Sequence, residues 1–389
     1  MTPWDLRIPS VDDMGKTFGE RVAGCPPGPV ERYVWAGFAV AATGFALVSG
    51  PATHRMWGWS AGAGYALAAL LARGSGPLRA ARAVAVAGSV VLPLVGLVAA
   101  GLGQSEVAVV ERSGHLLAAT GSPYVTAPAA VGDFNPYLPG MALFGVLPGD
   151  PRWWTGGAFL GALVAAGVRR VGLLLACPLV ALPLAVGGVD LPVAGLMCLG
   201  LAQAGRGRAG GAGLALGAAA ALKWTGWLAL PVALALIAVR QGGRPALRCA
   251  GTCLGTGAAV VLPFALIDPA GFLRNVVAFP FGLTATASPA GSPLPGHLLA
   301  AHVPGGTVIA LALLAVGALL IGVSLAVRPP ETLRAAAGRL ALGVGLATVL
   351  MPATRFGYLV YPVVLAALAR GAGHRDTEVT GRPVERNPA

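Results

Sequence analysis

The 389-residue sequence predicts an all-α protein that crosses a membrane many times. Three observations carry that expectation. Charged residues make up only 11% of the chain, less than half of the roughly 25% typical of a soluble domain. Hydrophobic residues make up 56%, and the mean hydropathy is +0.75. The apolar residues are gathered into long runs broken by Arg, Gly and Pro, which is the pattern of spanning helices and not the alternation of a transmembrane barrel. A soluble enzyme, a nucleic-acid binder and a disordered scaffold are excluded on these grounds. The net charge of +12 comes from basic residues at the ends of apolar runs. There it sets topology, and no nucleic-acid partner is implied.

Residues 1–32 carry both charge signs and Pro26, Pro27 and Pro29 without the apolar core of a signal peptide, and read as a cytosolic tail. Residues 33–370 read as the membrane domain and 371–389 as a second, disordered cytosolic tail. Within the domain the runs 33–50, 57–72, 83–103, 153–168, 171–187, 190–204, 210–222, 226–239, 249–267, 305–327, 338–351 and 357–369 read as about twelve spans. Ten and thirteen are the bounds, because several runs fall short of the ~20 residues of a full crossing. Alternating the spans from a cytosolic N-terminus puts Arg73, Arg79, Arg82, Arg169, Arg170, Arg206, Arg208, Arg240, Arg244, Arg248, Arg328, Arg334 and Arg339 inside. That is the positive-inside bias, and inverting the topology reverses it. Every acidic residue between 33 and 370 except Glu331 then faces outward: Glu106, Glu111, Asp133, Asp150, Asp190 and Asp268. Orientation does not require this, so the carboxylates point to a site at the outer face.

The Gly/Ala-rich stretch 204–221 reads as a close helix-packing surface. Cys249 and Cys253 are four apart and share a helix face with no His or carboxylate in metal-ligand spacing, so they read as small packing residues. Two outer segments are long. Residues 104–152 open with a charged amphipathic stretch, Glu106 to Ala119, turn through Gly121, Pro123 and Pro128, and end in Leu138–Leu147, which is too short to span and reads as interfacial. Residues 268–304 are rich in Pro and Gly and read as an ordered loop or lid with little regular structure.

The strongest local pattern is Ser105-Glu106, Glu111, then Leu116-Leu117-Ala118-Ala119-Thr120-Gly121-Ser122-Pro123-Tyr124, followed by Asn135-Pro136-Tyr137-Leu138-Pro139. A carboxylate after an early span, a helix ending in such a run, and an aromatic-proline segment together resemble the GT-C glycosyltransferases. The nearer resemblance is to the bacterial polyprenyl-phosphate-sugar-dependent members grouped as glycosyltransferase family 87. The pair of helices over Asp190–Pro231, whose Ala-rich run 212–224 carries Lys223 near its end, and the stretch Pro352–Pro362 with Arg355, Tyr358 and Tyr361 are similar to that family as well. Glu106 stands where the family usually has Asp. Both termini read as cytosolic from the charge distribution. The resemblance implies a bacterial cytoplasmic-membrane enzyme that moves a mannose- or arabinose-type sugar from a polyprenyl-phosphate donor to an envelope glycolipid or glycan at the outer face. It also implies inversion with a single carboxylate base.

Glu106 is the candidate base; its ordinary role is a carboxylate favoured at a helix start. Glu111, the second catalytic candidate, lies five residues on and on another helical face, where pairing with Arg112 or His115 is the plainer role. Lys223, Arg355 and Arg274 are the candidates for the donor phosphate. Arg has the bidentate fork for that task, and Lys223 is, with Lys16, one of only two lysines in the chain. Snorkelling is the plainer role of such a lysine. Asp133, Asn135, Tyr137 and Tyr124 are the acceptor or sugar candidates, with turn chemistry and an interfacial aromatic belt as their plainer roles. No cofactor is called for, and no spacing indicates a metal site, His115, His297 and His302 reading as loop histidines. Two other classes fit the same composition: a secondary transporter or lipid flippase, and a GT-C relative without activity. A transporter places ionisable groups near the midplane and often shows two related halves; here the charges lie at span ends and no repeat is visible.

Overall fold

The structure, a computed structural model, describes residues 27–73 and 78–380. Residues 1–26 of the expected N-terminal tail and residues 381–389 of the C-terminal one lie outside the described residues. Among the described residues every regular element is helical, and the one extended pairing is an isolated bridge between Gly291 and Thr354. The chain divides between Pro93 and Leu94 into two compact units, a division that falls within the third long helix.

The first unit is a helical hairpin joined to the start of that helix. α1 (Pro27–Val48) and α2 (Ala52–Leu71) turn at Ser49–Pro51. They approach closely because Gly58 faces Ala42 and Ala46, and Trp35 stacks on Tyr65 with ring centroids 6.1 Å apart. α3 (Leu78–Ala99) is wound as a π-turn over Ala87–Val91, which takes carbonyls out of the regular helical ladder. Side chains of α2 satisfy them: Trp57 Nε1 donates to the Ser89 carbonyl and Ser60 Oγ to that of Gly88, each at 2.8 Å.

The second unit runs through α4 (Ser105–Thr120), α5 (Pro151–Ala166), α6 (Pro178–Val186), α7 (Asp190–Gly205), α8 (Ala209–Leu222), α9 (Trp224–Gln241), α10 (Gly243–Ile267), α11 (Pro295–His302), α12 (Gly306–Val327), α13 (Leu333–Leu350) and α14 (Val360–Thr380). α7 is its centre, buried along nearly its whole length and packed on α5, α8, α9, α13 and α14. Small residues set these approaches. A Cβ at Gly213 would lie 2.4 Å from the Cys249 carbonyl oxygen, and one at Gly217 2.6 Å from that of Cys253. α8 and α10 therefore meet backbone to backbone, with both cysteines fully buried between them as packing residues.

Arginines mark one end of this bundle. Arg206 donates to the carbonyls of Ala165 and Ala166 at the C-terminus of α5, and Arg240 to that of Gly205 at the C-terminus of α7. Both satisfy carbonyls that a helix end leaves orphaned. The starts of α8 and α10 lie at the same end, and the N-terminus of α7 and the C-terminus of α8 lie at the other.

Among the described residues five helices are long and apolar enough to cross a membrane by themselves: α3, α9, α10, α12 and α13. Asp190–Gly205, Ala209–Leu222 and Phe356–Ala372 are shorter apolar helices. The large side chains of α12 are mostly exposed, Val308, Leu319, Leu320 and Val327 among them. Such a surface is stable in lipid and not in water. Among the described residues the protein is therefore all-helical, with five candidate membrane spans.

Three expectations are corrected. The run 171–187 is not one span but two pieces, Val171–Leu175 and Pro178–Val186, because Pro178 bars Cys177 from the helical region. The last helix continues past residue 370 to Thr380, so 371–380 is helical. The segment 268–304 has more regular structure than its composition suggests. Asp268 caps Pro269–Phe272 by accepting from the Gly271 N–H at 2.8 Å, a π-turn follows over Leu273–Ala278, and α11 completes it.

Candidate functional site

Four separate pieces of chain meet at the end of the bundle opposite the arginines. α4 starts just after Gln104, whose backbone N–H is bonded to the Val186 carbonyl at 2.9 Å. That places Glu106 in the first turn. Asp190 opens α7. Lys223 sits in extended conformation between α8 and the 3-10 turn that begins α9. Arg355 is likewise extended, between α13 and the 3-10 turn before α14. Its neighbour Thr354 is fully buried, bonded through Oγ1 to the Thr348 carbonyl at 2.7 Å and through its backbone to Ala290 and Ser292. The segment 290–297 thus holds Arg355 in place, helped by His297 Nδ1 on the Pro352 carbonyl at 2.9 Å.

The side chains form two ion pairs side by side. Arg355 pairs with Glu106. Lys223 Nζ lies 2.5 Å from Asp190 Oδ1, and the same oxygen accepts a hydrogen bond from the Tyr361 hydroxyl at 2.6 Å. Thr225 Oγ1 is 2.7 Å from that hydroxyl, and since Tyr361 spends its proton on Asp190, Thr225 is the donor. The Lys223 ammonium also lies 4.7 Å from the Tyr358 ring centroid and 5.8 Å from that of Tyr137, a cation–π cage. Glu106, Asp190 and Lys223 are 12%, 13% and 14% exposed, and Arg355 is 35% exposed.

The electrostatics follow from this crowding. Burial opposes the charge on Lys223, but Asp190 together with Tyr358 and Glu106 outweighs it and holds the ammonium pKa above its usual value. Burial, then the Glu106 and Asp190 carboxylates, pushes the Tyr137 phenol far above the ordinary tyrosine range. Lys223 is thus an ammonium and Tyr137 a neutral phenol at physiological pH. Two cations and two carboxylates make the cluster neutral as it stands. A doubly charged phosphate would be met by both cations if the carboxylates released them.

Of the residues picked from the sequence, Glu106, Lys223, Arg355 and Tyr137 converge here. The others do not. Glu111 lines two open surface pockets of about 470 and 480 Å³ with His115, on another face of α4. Asp133 Oδ2 accepts from the N–H groups of Ala129 and Ala130 at 3.0 and 2.8 Å, closing its own turn, and these bonds hold its pKa below the usual carboxylate value. Asn135 is buried. It donates to Ser113 Oγ at 2.9 Å, and its N–H is taken by Asn275 Oδ1 at 2.9 Å. Tyr124 donates to the Tyr137 carbonyl at 3.1 Å, and Arg274 to the Thr126 carbonyl at 2.8 Å. The Asn135–Asn275, Arg274–Thr126 and Asn275–Val125 bonds clasp the 121–138 loop to the 268–278 segment, and Tyr124 ties the loop to itself next to Tyr137.

Asp190, Tyr358 and Tyr361 complete the cluster and were not among the picked site residues. Asp190 is the only carboxylate between Asp150 and Asp268, a signal that could have singled it out. The tyrosines lie three and six residues after Arg355, so one candidate could have led to them. Among the described residues no three His, Cys, Asp or Glu side chains gather in a metal-binding group. No family model, no curated protein and no solved structure matches the chain.

Proposed function

We propose that this protein is a GT-C-like glycosyltransferase of a bacterial cytoplasmic membrane, with about twelve crossings including short and broken ones and both termini in the cytosol. It takes a mannose- or arabinose-type sugar from a polyprenyl phosphate and passes it to an envelope glycan or glycolipid at the outer face. The observation that carries the reading is the meeting of Glu106, Arg355, Lys223 and Tyr137 at the end of the bundle opposite the arginines, beside helices whose apolar side chains face outward.

The proposed chemistry uses each group once. The donor phosphate draws Arg355 and Lys223 away from their carboxylates and is held by the guanidinium fork and the ammonium. Glu106, released from Arg355, takes the proton of the acceptor hydroxyl. The acceptor oxygen attacks the anomeric carbon from the face opposite the phosphate, and the carbon–oxygen bond to phosphate breaks with inversion. The electron pair leaves on the phosphate, where the two cations stabilise it. Tyr137, neutral and seated over Lys223, offers a ring for stacking the sugar.

The test is sugar transfer by the purified full-length chain in nanodiscs, with short-chain polyprenyl-phosphate mannose and arabinose and membrane glycolipid as acceptor. Wild type transfers one of the two sugars, and Glu106→Gln loses on the order of 10²–10⁴-fold in rate, the usual worth of a general base. Transfer that survives in Glu106→Gln moves the base to Asp190, the other carboxylate of the cluster. Absence of transfer from both donors by wild type sinks the enzyme reading.

A further inference from the structure

The arginine end of the second unit carries charge that the fold does not use. α8 and α10 start side by side there and run in the same direction, since Gly213 and Gly217 of one meet Cys249 and Cys253 of the other in matching order. Two parallel helix starts bring two positive dipole ends together, an arrangement that acidic residues in the first turns would relieve. Neither first turn contains one, and neither N-cap residue, Arg208 or Gly242, makes a capping bond. Arginines stand there instead. Arg208 precedes α8, Arg244 is the second residue of α10, and the Arg248 guanidinium lies across the first turn of α8, its Nε 3.4 Å from where a Cβ on Gly210 would be. No carboxylate among the described residues pairs with any of the three. Arg206 and Arg240 nearby are spent on helix carbonyls and are not counted.

Setting topology requires arginines in the loop, where they can extend into water. It does not require one laid over a helix start, as Arg248 is while staying exposed together with Arg208 and Arg244. The neighbouring surface says what lies beside them. Arg244, Leu247, Gly251 and Leu254 follow one another along one face of α10 at helical spacing. Leu247 is 73% exposed, Leu254 is 52% exposed, and nothing stands within 4 Å of a Cβ built on Gly251. That is a strip of apolar surface with a gap in its middle, leading straight up from a cationic head.

We infer that Arg208, Arg244 and Arg248 hold the phosphate of an anionic phospholipid, whose acyl chain lies along the Leu247–Gly251–Leu254 face of α10. Headgroup charge satisfies the arginines and both helix starts at once. The chain fills the strip.

The test is native mass spectrometry of the full-length protein in detergent with equal amounts of phosphatidylglycerol and phosphatidylcholine. Wild type retains phosphatidylglycerol preferentially. The Arg208→Gln/Arg244→Gln/Arg248→Gln variant loses that preference by on the order of a hundredfold, at about one kilocalorie-scale contact per arginine. Leu247→Glu, which leaves the arginines intact, weakens retention as well and keeps the inference testable if the triple variant does not fold. Glu106→Gln retains the lipid like wild type. Unchanged preference in a folded triple variant overturns the inference. So does displacement of the bound lipid by equimolar glycerol phosphate, which would make this a site for soluble phosphate.

Discussion

Asp190 illustrates how one atom can couple stability to chemistry. Its Oδ1 accepts from both Lys223 and Tyr361, in a site where the carboxylate and the ammonium are each less than a sixth exposed. A charge so placed is tolerable only while its partner is present, because removing one member of a buried pair strands the other. Asp190→Asn is therefore expected to cost roughly 3 kcal/mol, read as a lower thermal midpoint in detergent. Asp190→Asn/Lys223→Met, which removes both charges, recovers most of that loss. Under the proposed function, sugar transfer separates the two effects: the double variant is expected to regain stability and stay inactive, because the proposed donor phosphate would have lost a cation. A double variant no more stable than the single one would mean that the two charges do not depend on each other. Glu106, Lys223 and Arg355 were legible in the sequence because charges are rare in an apolar chain. The clasp made by Asn135 and Asn275 was not, since its two amides are distant in sequence and each looks like ordinary turn chemistry alone.

At the scale of elements, the contact between α8 and α10 rests on the absence of side chains. Without a hydrophobic driving force between helices in lipid, close approach and dispersion hold them together. Gly217→Leu puts a branched chain where a Cβ alone would sit 2.6 Å from the Cys253 carbonyl oxygen. The helices must separate, and the expected cost is about 1–3 kcal/mol or more, seen as a lower thermal midpoint and as new reactivity of Cys253 toward a maleimide. Gly322→Ala on α12, with nothing within 4 Å of the added methyl, leaves the midpoint unchanged or raises it slightly. Equal behaviour of the two variants would refute close packing as the reason for the glycines. Apolar runs and Gly/Ala content located the helices of the second unit well. They failed at Cys177–Pro178, where one proline divides a run that hydropathy reads as continuous. They also failed in 269–302, whose helical turns depend on the Asp268 cap and on Asn275 bonds to Val125 and Gly271.

For the second unit as a whole, charge is sorted by end. Arg206 and Arg240 cap helix carbonyls at one end, and the ion-paired cluster of Glu106, Asp190, Lys223 and Arg355 stands at the other, where Arg152, which also bonds a helix carbonyl, is itself paired with Asp150. Helix ends reach opposite sides of a bilayer only if the helices cross it, so the sorting leads to a labelling experiment. In a chain whose cysteines are replaced by Ala, a single cysteine at Ala127, in the exposed loop that leads to Tyr137, should react with a membrane-impermeant maleimide in intact cells. A cysteine at Glu331, between α12 and α13 on the arginine side, should react only after lysis. Both positions are exposed in the fold, so failure to react reports the membrane and not burial. The reverse pattern would put the cluster in the cytosol and end the proposal of a lipid-phosphate donor used at the outer face. Equal labelling of both in intact cells would mean that the helices between them do not alternate across the bilayer. The expected pattern would fix the side of the membrane that the cluster faces, and with it the compartment in which the proposed transfer would take place.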